Sequence, residues 1–252
     1  MPHSLKILGV IPARLASIRL PRKVLRTIAG APMIEWVYKA ARACRQLDDV
    51  LIATDSDEVL ALARERGWSA MLTSPACASG SDRVYEVSGK ISAAIYVNIQ
   101  GDEPLLKPEH IEAILRPFSR PEVQVSTLAT PCKPEEINNP NAVKVVTCPD
   151  GRALYFSRGP IPYDRDHFGN APYLKHLGLY AYRREALHRF AKLPPSPLET
   201  IERLEQLRFL ENGIDIFVEI TPYDTIGVDT EADLQAVEAM LAATPRAEAG
   251  LL

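Results

Sequence analysis

A cluster of positive charge follows the first apolar run of the chain. Residues 7–11 (ILGVI) are typical of a buried strand, and the segment after them carries four cations: Arg14, Arg19, Arg22 and Lys23. No acidic residue lies between Lys6 and Glu35 to balance that charge. Guanidinium groups grip two phosphate oxygens at once, so the segment fits a polyanion, and a triphosphate best of all. The alternative interpretation is a solvated basic loop.

Two aspartates are candidates for holding a divalent cation. Asp102 comes directly after a second apolar run at 95–99, and Asp229 lies in the distant stretch 227–230 (GVDT). Mg²⁺ prefers few protein carboxylates together with phosphate oxygens. Alternatively, each aspartate serves only in a turn, and Asp229 or Thr230 caps the helix that follows.

Two further groups of polar residues suit parts of a nucleotide or a sugar. Residues 79–83 (SGSDR) offer hydroxyls, a flexible backbone and a cation for a base edge or a phosphate. Alternatively, Ser81 is a helix N-cap. The second half of the chain carries polar groups that suit a hydroxyl-rich, carboxylated acceptor: Arg158, Lys175, His176, Glu205 and Gln206. A purely structural histidine at 176 remains an alternative, and the histidine spacing does not indicate a metal site.

Composition limits the class of protein. The chain has 252 residues, of which 46% are hydrophobic, so one large α/β domain with a small appended lobe is expected. A net charge of −3 argues against a nucleic-acid binder. We find no apolar run long enough for a membrane span and no signal-peptide pattern. The four cysteines are scattered, which is typical of a reduced cytosolic protein without structural zinc or disulfides. Neither a P-loop nor a dinucleotide fingerprint is present.

The order of predicted elements determines where these groups meet. Strands at 7–11, 50–54, 69–73 and 95–99 alternate with helices, which implies parallel pairing through right-handed crossovers. Ligands bind beyond the carboxyl ends of parallel strands. The loops 12–23, 74–83 and 100–104 leave such ends, so we expect them to converge.

The second half of the chain is predicted to be richer in strands. Strands are expected at 123–129, 142–147, 153–157, 174–182 and 214–220, with a hairpin turn at Asp150-Gly151. One helix is predicted from Pro197 to a cap at Gly213, and a last one covers 231–242.

Several segments together resemble the 3-deoxy-manno-octulosonate (Kdo) cytidylyltransferases, over about residues 7–239. Residues 11–25 (IPARLASIRLPRKVL) are similar to that family's pattern IPARxxSxRLPGKPL. Other matching stretches are 53–55 (ATD), 98–104 (NIQGDEP), 139–144 (NPNAVK), 153–158 (ALYFSR), 175–178 (KHLG) and 204–208 (LEQLR).

The resemblance implies a fold and a role for each part of the chain. The fold is a Rossmann-like nucleotide-diphospho-sugar transferase fold, with a central, mostly parallel mixed sheet flanked by helices and a smaller β-rich lobe. Residues 5–122 would bind nucleotide, and 123–222 would bind sugar and dimerise. Residues 223–243 would return to the active site.

The resemblance also implies a reaction: CTP and Kdo give CMP-Kdo and diphosphate for lipopolysaccharide biosynthesis, in a cytoplasmic homodimer using Mg²⁺. The catalytic residues implied are Arg14, Lys23, Asp102 and Asp229, of which the two aspartates hold the metal. Nucleotide binding is implied for Pro12, Ala13, Arg14, Ser17, Arg19, Lys23, Ser79, Gly80, Ser81, Arg83 and Gln100. Sugar binding is implied for Gln100, Arg158, His176, Tyr180, Glu205 and Gln206.

Arg22 departs from the family pattern, which usually has Gly at that position. An arginine there would be strained if the backbone needs a positive φ. Two other functions remain open from the sequence. One is a cytidylyltransferase for another acidic sugar, such as 8-amino-Kdo or a sialic acid, and the other is a non-catalytic nucleotide-sugar-binding protein.

Overall fold

A computed structural model describes residues 6–17, 19–166, 169 and 171–243. The first half of the chain alternates strands and helices, as its apolar runs predict. In order these are β1 (Ile7–Ala13), β2 (Thr27–Ile28), β3 (Ala31–Pro32), α1 (Met33–Ala43), β4 (Asp49–Thr54), α2 (Asp57–Glu65), β5 (Ala70–Leu72), α3 (Gly80–Lys90), β6 (Ile95–Asn98) and α4 (Pro108–Leu115).

The second half contains more strands and shorter helices. The elements are β7 (Val125–Pro131), β8 (Lys144–Thr147), β9 (Ala153–Ser157), β10 (Leu174–Arg183), α5 (Arg184–Phe190), α6 (Pro197–Glu202), α7 (Leu207–Glu211), β11 (Ile216–Ile220) and α8 (Glu231–Ala243). Short 3-10 helices occur at Lys23–Leu25, Arg116–Ser119 and Pro134–Glu136. Among the described residues, no helix is long and apolar enough to cross a membrane.

The described residues form two compact units. The first comprises those within Met1–Glu112 and Thr225–Leu252, and the second comprises Ala113–Asp224. In the first unit, four strands lie in the order β6-β1-β4-β5 and all pair in parallel. Leu8, Val10 and Ile11 of β1 are almost completely buried, as expected for a strand flanked on both sides. The carboxyl ends of these strands therefore share one edge.

The strands of the second unit pair in both directions. β7 lies between β10, which is antiparallel to it, and β11, which is parallel. β8 joins β10 to β9 through antiparallel pairing. The predicted hairpin turn between β8 and β9 is confirmed, and Gly151 has the positive φ of 88° that such a turn requires. Together the two units confirm the predicted α/β class, with parallel and mixed strand pairing flanked by helices.

The prediction of one helix from Pro197 to Gly213 is wrong. The helix breaks at Arg203, which has a φ of 54°, and the structure has α6 and α7 instead. On α6, Ile201 is 77% exposed and does not pack in the core. The predicted cap at Gly213, with a φ of 66°, is confirmed. Helix α5 was not predicted, because it follows β10 directly, without a turn residue between them.

Candidate active site

The three predicted loops converge, together with the segment before α8, on one cavity of about 750 Å³ in the first unit. The loops leave β1, β5 and β6 at the shared carboxyl edge of the sheet. The predicted residues that line the cavity are Pro12, Arg14, Ser17, Arg19, Lys23, Ser79, Gly80, Arg83, Gln100, Asp102 and Asp229. Residues from four separate parts of the sequence thus face one space.

Two predicted nucleotide ligands do not reach the cavity lining. Ala13 ends β1 and is fully buried, and Ser81 lies inside α3 with 3% of its surface exposed. The alternative interpretation of Ser81 as the helix N-cap is wrong. Ser79 is the cap, because its Oγ accepts the Asp82 amide while the Asp82 carboxylate accepts the Ser79 amide. This reciprocal pair begins the helix at Gly80.

Lys23 connects the basic loop to both aspartates. Its ammonium donates to the Asp102 carboxylate and to Asp229 Oδ1, the latter at 2.9 Å. Arg19 Nη2 lies 2.8 Å from the other Asp229 oxygen. Burial lowers the pKa of Lys23, but Asp102 and Asp229 outweigh it, so the pKa is raised above 10.5. The stability that this pairing contributes is therefore fully present below pH 10.5 and is lost only as the pH rises through the raised value.

Backbone contacts bring the aspartates to this position. A Cβ at Gly101 would lie 2.8 Å from the Pro12 carbonyl oxygen, so the loop after β6 passes directly against the end of β1. The Asp102 carbonyl accepts the Val228 amide at 2.9 Å, which places Asp229 beside it. Thr230 and Asp233 exchange hydrogen bonds at the start of α8. Asp229 is thus not needed as a cap, and its carboxylate pairs with cations instead.

The two carboxylates suit a metal that arrives with phosphate. Both converge on the same cation, the Lys23 ammonium, so their oxygens already surround one point of positive charge. Within the described ranges no group of three or more potential metal-ligating side chains occurs. Two carboxylates are the number that Mg²⁺ typically takes when phosphate oxygens and water complete its shell. Asp102 and Asp229 therefore fit a nucleotide-bound divalent cation.

Arg22 adopts the left-handed conformation, with a φ of 58° and a ψ of 30°. The position where the family pattern has Gly thus does need a positive φ. Arg22 immediately precedes the 3-10 helix that carries Lys23, and its Nη2 pairs with Glu58 of α2. Both side chains are about half exposed, so this ion pair contributes little stability.

We expect Arg22→Gly to be more stable than Arg22→Ala by about 1 kcal/mol. Both variants lose the Glu58 pair, but only Ala keeps the Cβ that strains a left-handed backbone. Urea denaturation of both variants measures the difference, with Glu58→Gln as the control that removes the ion pair alone. Equal stability of the Gly and Ala variants would contradict the strain.

Arg83 is held differently from the other cations of the cavity. Its side chain is 3% exposed, and Nη2 donates to the Asp55 carboxylate while Nη1 donates to Thr73 Oγ1 at 2.6 Å. We assigned no role to Asp55 from the sequence. The available signal was its position, directly after the buried strand β4.

The second unit contains most of the predicted sugar ligands. His176 Nε2 lies 3.0 Å from both the Tyr180 hydroxyl and Thr127 Oγ1. Glu205 is close enough for its charge to contribute, after burial, to the raised pKa of Tyr180. Gln206 is 6% exposed, and its Nε2 has no hydrogen-bond partner in the described structure. His176, Tyr180 and Glu205 thus form a polar cluster on β10 and beside α7.

Arg158 is held by main-chain groups. Its Nε donates to the Glu202 carbonyl at 2.7 Å and its Nη1 to the Pro140 carbonyl at 2.8 Å. Lys144, which is fully buried, donates to the Arg158 carbonyl at 2.8 Å. The structure therefore fixes the segment around Arg158.

Burial lowers the pKa of His176 to about 3, so its imidazole is neutral in the folded state near neutral pH. In the unfolded chain it protonates near pH 6.5. Stability from the neutral form is therefore present above pH 6.5 and is lost as the pH falls from 6.5 towards 3.

We expect His176→Gln to flatten this pH dependence. Urea unfolding at pH 7 and pH 5 should show the wild type losing up to about 2 kcal/mol more than the variant. His188→Gln, on α5, serves as the control and should retain most of the slope. An unchanged slope in the His176 variant would mean that the imidazole is already charged when folded.

The family model described as cytidylyltransferase matches residues 8–216, which include most of this cavity. The chain is 66% identical to the 3-deoxy-manno-octulosonate cytidylyltransferase of Acidobacterium capsulatum over 94% of this chain and 97% of that protein. It is 58% identical to the one from Koribacter versatilis, over 94% and 91%. The chain belongs to the 3-deoxy-manno-octulosonate cytidylyltransferase family. The resemblance predicted from the sequence motifs is thus confirmed, and the chain is a nucleotidyltransferase.

Solved structures agree with this membership. The structure of a CMP:2-keto-3-deoxy-manno-octonic acid synthetase complexed with CTP superposes with a TM-score of 0.91 at 43% identity, covering 94% of this chain and 98% of that one. A glucose-1-phosphate thymidylyltransferase from Bacillus anthracis, at 16% identity and a TM-score of 0.67 over 95% and 96% of the two chains, shares the fold.

Proposed function

We propose that this chain transfers a cytidylyl group from CTP to Kdo, giving CMP-Kdo and diphosphate for lipopolysaccharide biosynthesis. The observation that carries the proposal is the single cavity in which Arg14, Arg19 and Lys23 face Asp102 and Asp229. Cations there neutralise triphosphate oxygens, and the carboxylates retain a divalent metal. The matching relatives carry the same activity in their names.

The reaction needs positioning and charge neutralisation more than covalent help. The anomeric hydroxyl oxygen of the sugar forms a bond to the α-phosphorus, the bond from that phosphorus to the bridging β-phosphate oxygen breaks, and the hydroxyl proton passes to water. Arg14, Arg19 and Lys23 stabilise the charge on the departing diphosphate. The nucleotide site is completed by Pro12, Ser17, Ser79, Gly80 and Arg83.

Asp102 and Asp229 would hold Mg²⁺. The metal supplies further charge neutralisation on the phosphates when bound. Because Lys23 and Arg19 pair with these carboxylates in the structure, the residues are already arranged around positive charge. The hard oxygen donors and their small number both favour Mg²⁺ over softer metals.

We assign sugar binding to Gln100 and, in the second unit, to Arg158, His176, Tyr180, Glu205 and Gln206. The unpartnered buried Nε2 of Gln206 supports this assignment, because a donor buried without an acceptor is costly unless a ligand supplies one. A neutral His176 and a protonated Tyr180 offer uncharged hydrogen bonds to sugar hydroxyls.

We further propose a homodimer in the cytoplasm, with contacts from the second unit. Among the described strands, β9 pairs only with β8, and its Leu154 is 59% exposed. In the loop after β9, Tyr163 is 78% exposed. Exposed apolar side chains near an edge strand are typical of a contact surface. All four cysteines are free, which fits a reducing compartment.

Pyrophosphate release tests the proposed reaction. Purified protein is incubated with Mg²⁺, each of the four nucleoside triphosphates, and Kdo, 8-amino-Kdo or a sialic acid. We expect release with CTP and Kdo above all other pairs. Greater release with 8-amino-Kdo or a sialic acid would identify that sugar as the substrate in place of Kdo. No release with any pair would favour a non-catalytic nucleotide-sugar-binding protein.

A further inference from the structure

Arg83 is a buried cation with fixed partners at the edge of the cavity. Its side chain is 3% exposed, whereas that of Arg19 is 65% exposed. One guanidinium nitrogen donates to the Asp55 carboxylate and another to Thr73 Oγ1. Arg83 nevertheless contributes to the cavity lining. Its positive charge is therefore compensated inside the protein before any ligand binds.

The two acceptors are themselves fixed by neighbouring strand ends. Asp55 follows β4 directly, and Thr73 follows β5, which pairs with β4 in parallel. The Thr73 hydroxyl donates to the Thr54 carbonyl at 3.1 Å, so its oxygen lone pairs remain for Arg83. The Thr73 amide donates to the same carbonyl at 2.8 Å. The guanidinium plane is thus preorganised by two rigid elements.

This arrangement suits a neutral ligand group better than a phosphate. Arg14 is exposed, and the ion pair of Arg19 with Asp229 lies at the surface, so both side chains can turn towards a triphosphate. A metal on Asp102 and Asp229 would take over the partners of Lys23. Asp55 is not among those proposed metal ligands, so it stays with Arg83. A guanidinium neutralised in this way still has N–H donors but exerts little net attraction on an anion.

We propose that Asp55 is a positioning residue that orients Arg83 to select cytosine over uracil. The inference rests on the proposed use of CTP. Cytosine presents two adjacent acceptors, O2 and N3, which match guanidinium donors. Uracil carries a proton on N3, so a donor facing that atom has no acceptor there. Paired donors fixed against a base edge are a common source of base discrimination.

Equilibrium binding of CTP and UTP without sugar tests the proposal. Isothermal titration gives the ratio of the two dissociation constants for the wild type, Asp55→Asn and a matched control, Asp49→Asn. Asp49 begins the same strand, and its carboxylate is 46% exposed. We expect Asp55→Asn to reduce the preference for CTP by about tenfold to a hundredfold, and Asp49→Asn to preserve it.

Salt dependence separates this role from a structural one. Without the Asp55 charge, Arg83 becomes an additional net cation, so the variant should bind UTP more tightly at low salt and lose that gain at high salt. Asp55→Glu, which restores the charge, should recover part of the preference. A merely loosened fold would weaken both nucleotides alike and show no such gain.

A second variant keeps the test decisive if Asp55→Asn does not fold. Thr73→Val removes the hydroxyl that accepts from Nη1 at 2.6 Å and leaves that nitrogen only the Ser74 carbonyl, at 3.5 Å. It should also lower the CTP preference while near-ultraviolet circular dichroism stays native. An unchanged ratio in a folded Asp55 or Thr73 variant would overturn the positioning role and leave the proposed reaction standing. A wild type without preference for CTP would overturn both.

Discussion

Replacing Asp102 by Asn lowers the rate of pyrophosphate release from CTP and Kdo by at least about 10²-fold. The substitution keeps the shape of the side chain but removes one of the two charges that converge on Lys23. It also removes one of the two carboxylates proposed to hold Mg²⁺. Steady-state kinetics at saturating substrates measures the effect, which should appear mainly in kcat.

Asp49→Asn is the control for this experiment, because it makes the same chemical change at the opposite end of the parallel strands. Its kcat should stay within about twofold of the wild type, because a surface substitution far from the cavity has only a small effect on the fold. Asp229→Asn should resemble Asp102→Asn. If Asp102→Asn retained wild-type turnover, that carboxylate would have no part in the reaction.

Replacing Lys23 by Met reduces kcat/KM for CTP by roughly 10²- to 10³-fold. The Lys23 side chain is 13% exposed, and its ammonium is the group that both aspartates contact. Without the ammonium, no cation of the described residues neutralises both the Asp102 and the Asp229 carboxylates, and these two negative charges repel the triphosphate. Nucleotide titrations should show the weaker binding directly.

The Lys23→Met variant should bind a divalent metal ion more tightly, although it binds CTP more weakly. Removal of the ammonium leaves Asp102 and Asp229 available, so Mn²⁺ should bind more tightly in the absence of nucleotide, as followed by electron paramagnetic resonance. Lys90→Met, at an exposed ion pair with Glu86, is the matched control and should change neither quantity. Weaker Mn²⁺ binding in the Lys23 variant would show that the lysine supports the metal site and does not compete for it.

The sequence predicted which loops form the site, because the strands that place those loops follow from local patterns. Buried runs such as that of β1, followed by polar loops, indicate parallel strands whose carboxyl ends share an edge. The convergence of Lys23 with Asp102 follows from this rule, although 79 residues separate them. The helix N-cap was misplaced by two residues, since Ser79 and Ser81 are both good capping residues and only Asp82 decides between them.

The remaining details depend on contacts that periodicity does not encode. Apolar spacing runs through Arg203, so nothing in it predicts the left-handed residue that separates α6 from α7. Asp55 and Arg83 are 28 residues apart, and their pairing requires the particular twist and register of β4 and β5. Tertiary geometry of this kind overrides local preference.

Gly101 places a constraint on how relatives of this enzyme can diverge. Because hydrogen is the only substituent that clears the Pro12 carbonyl, main-chain atoms set the spacing between the basic loop and the Asp102 carboxylate. Side chains elsewhere around the cleft are then able to change for a different base or sugar while the phosphate chemistry keeps its geometry.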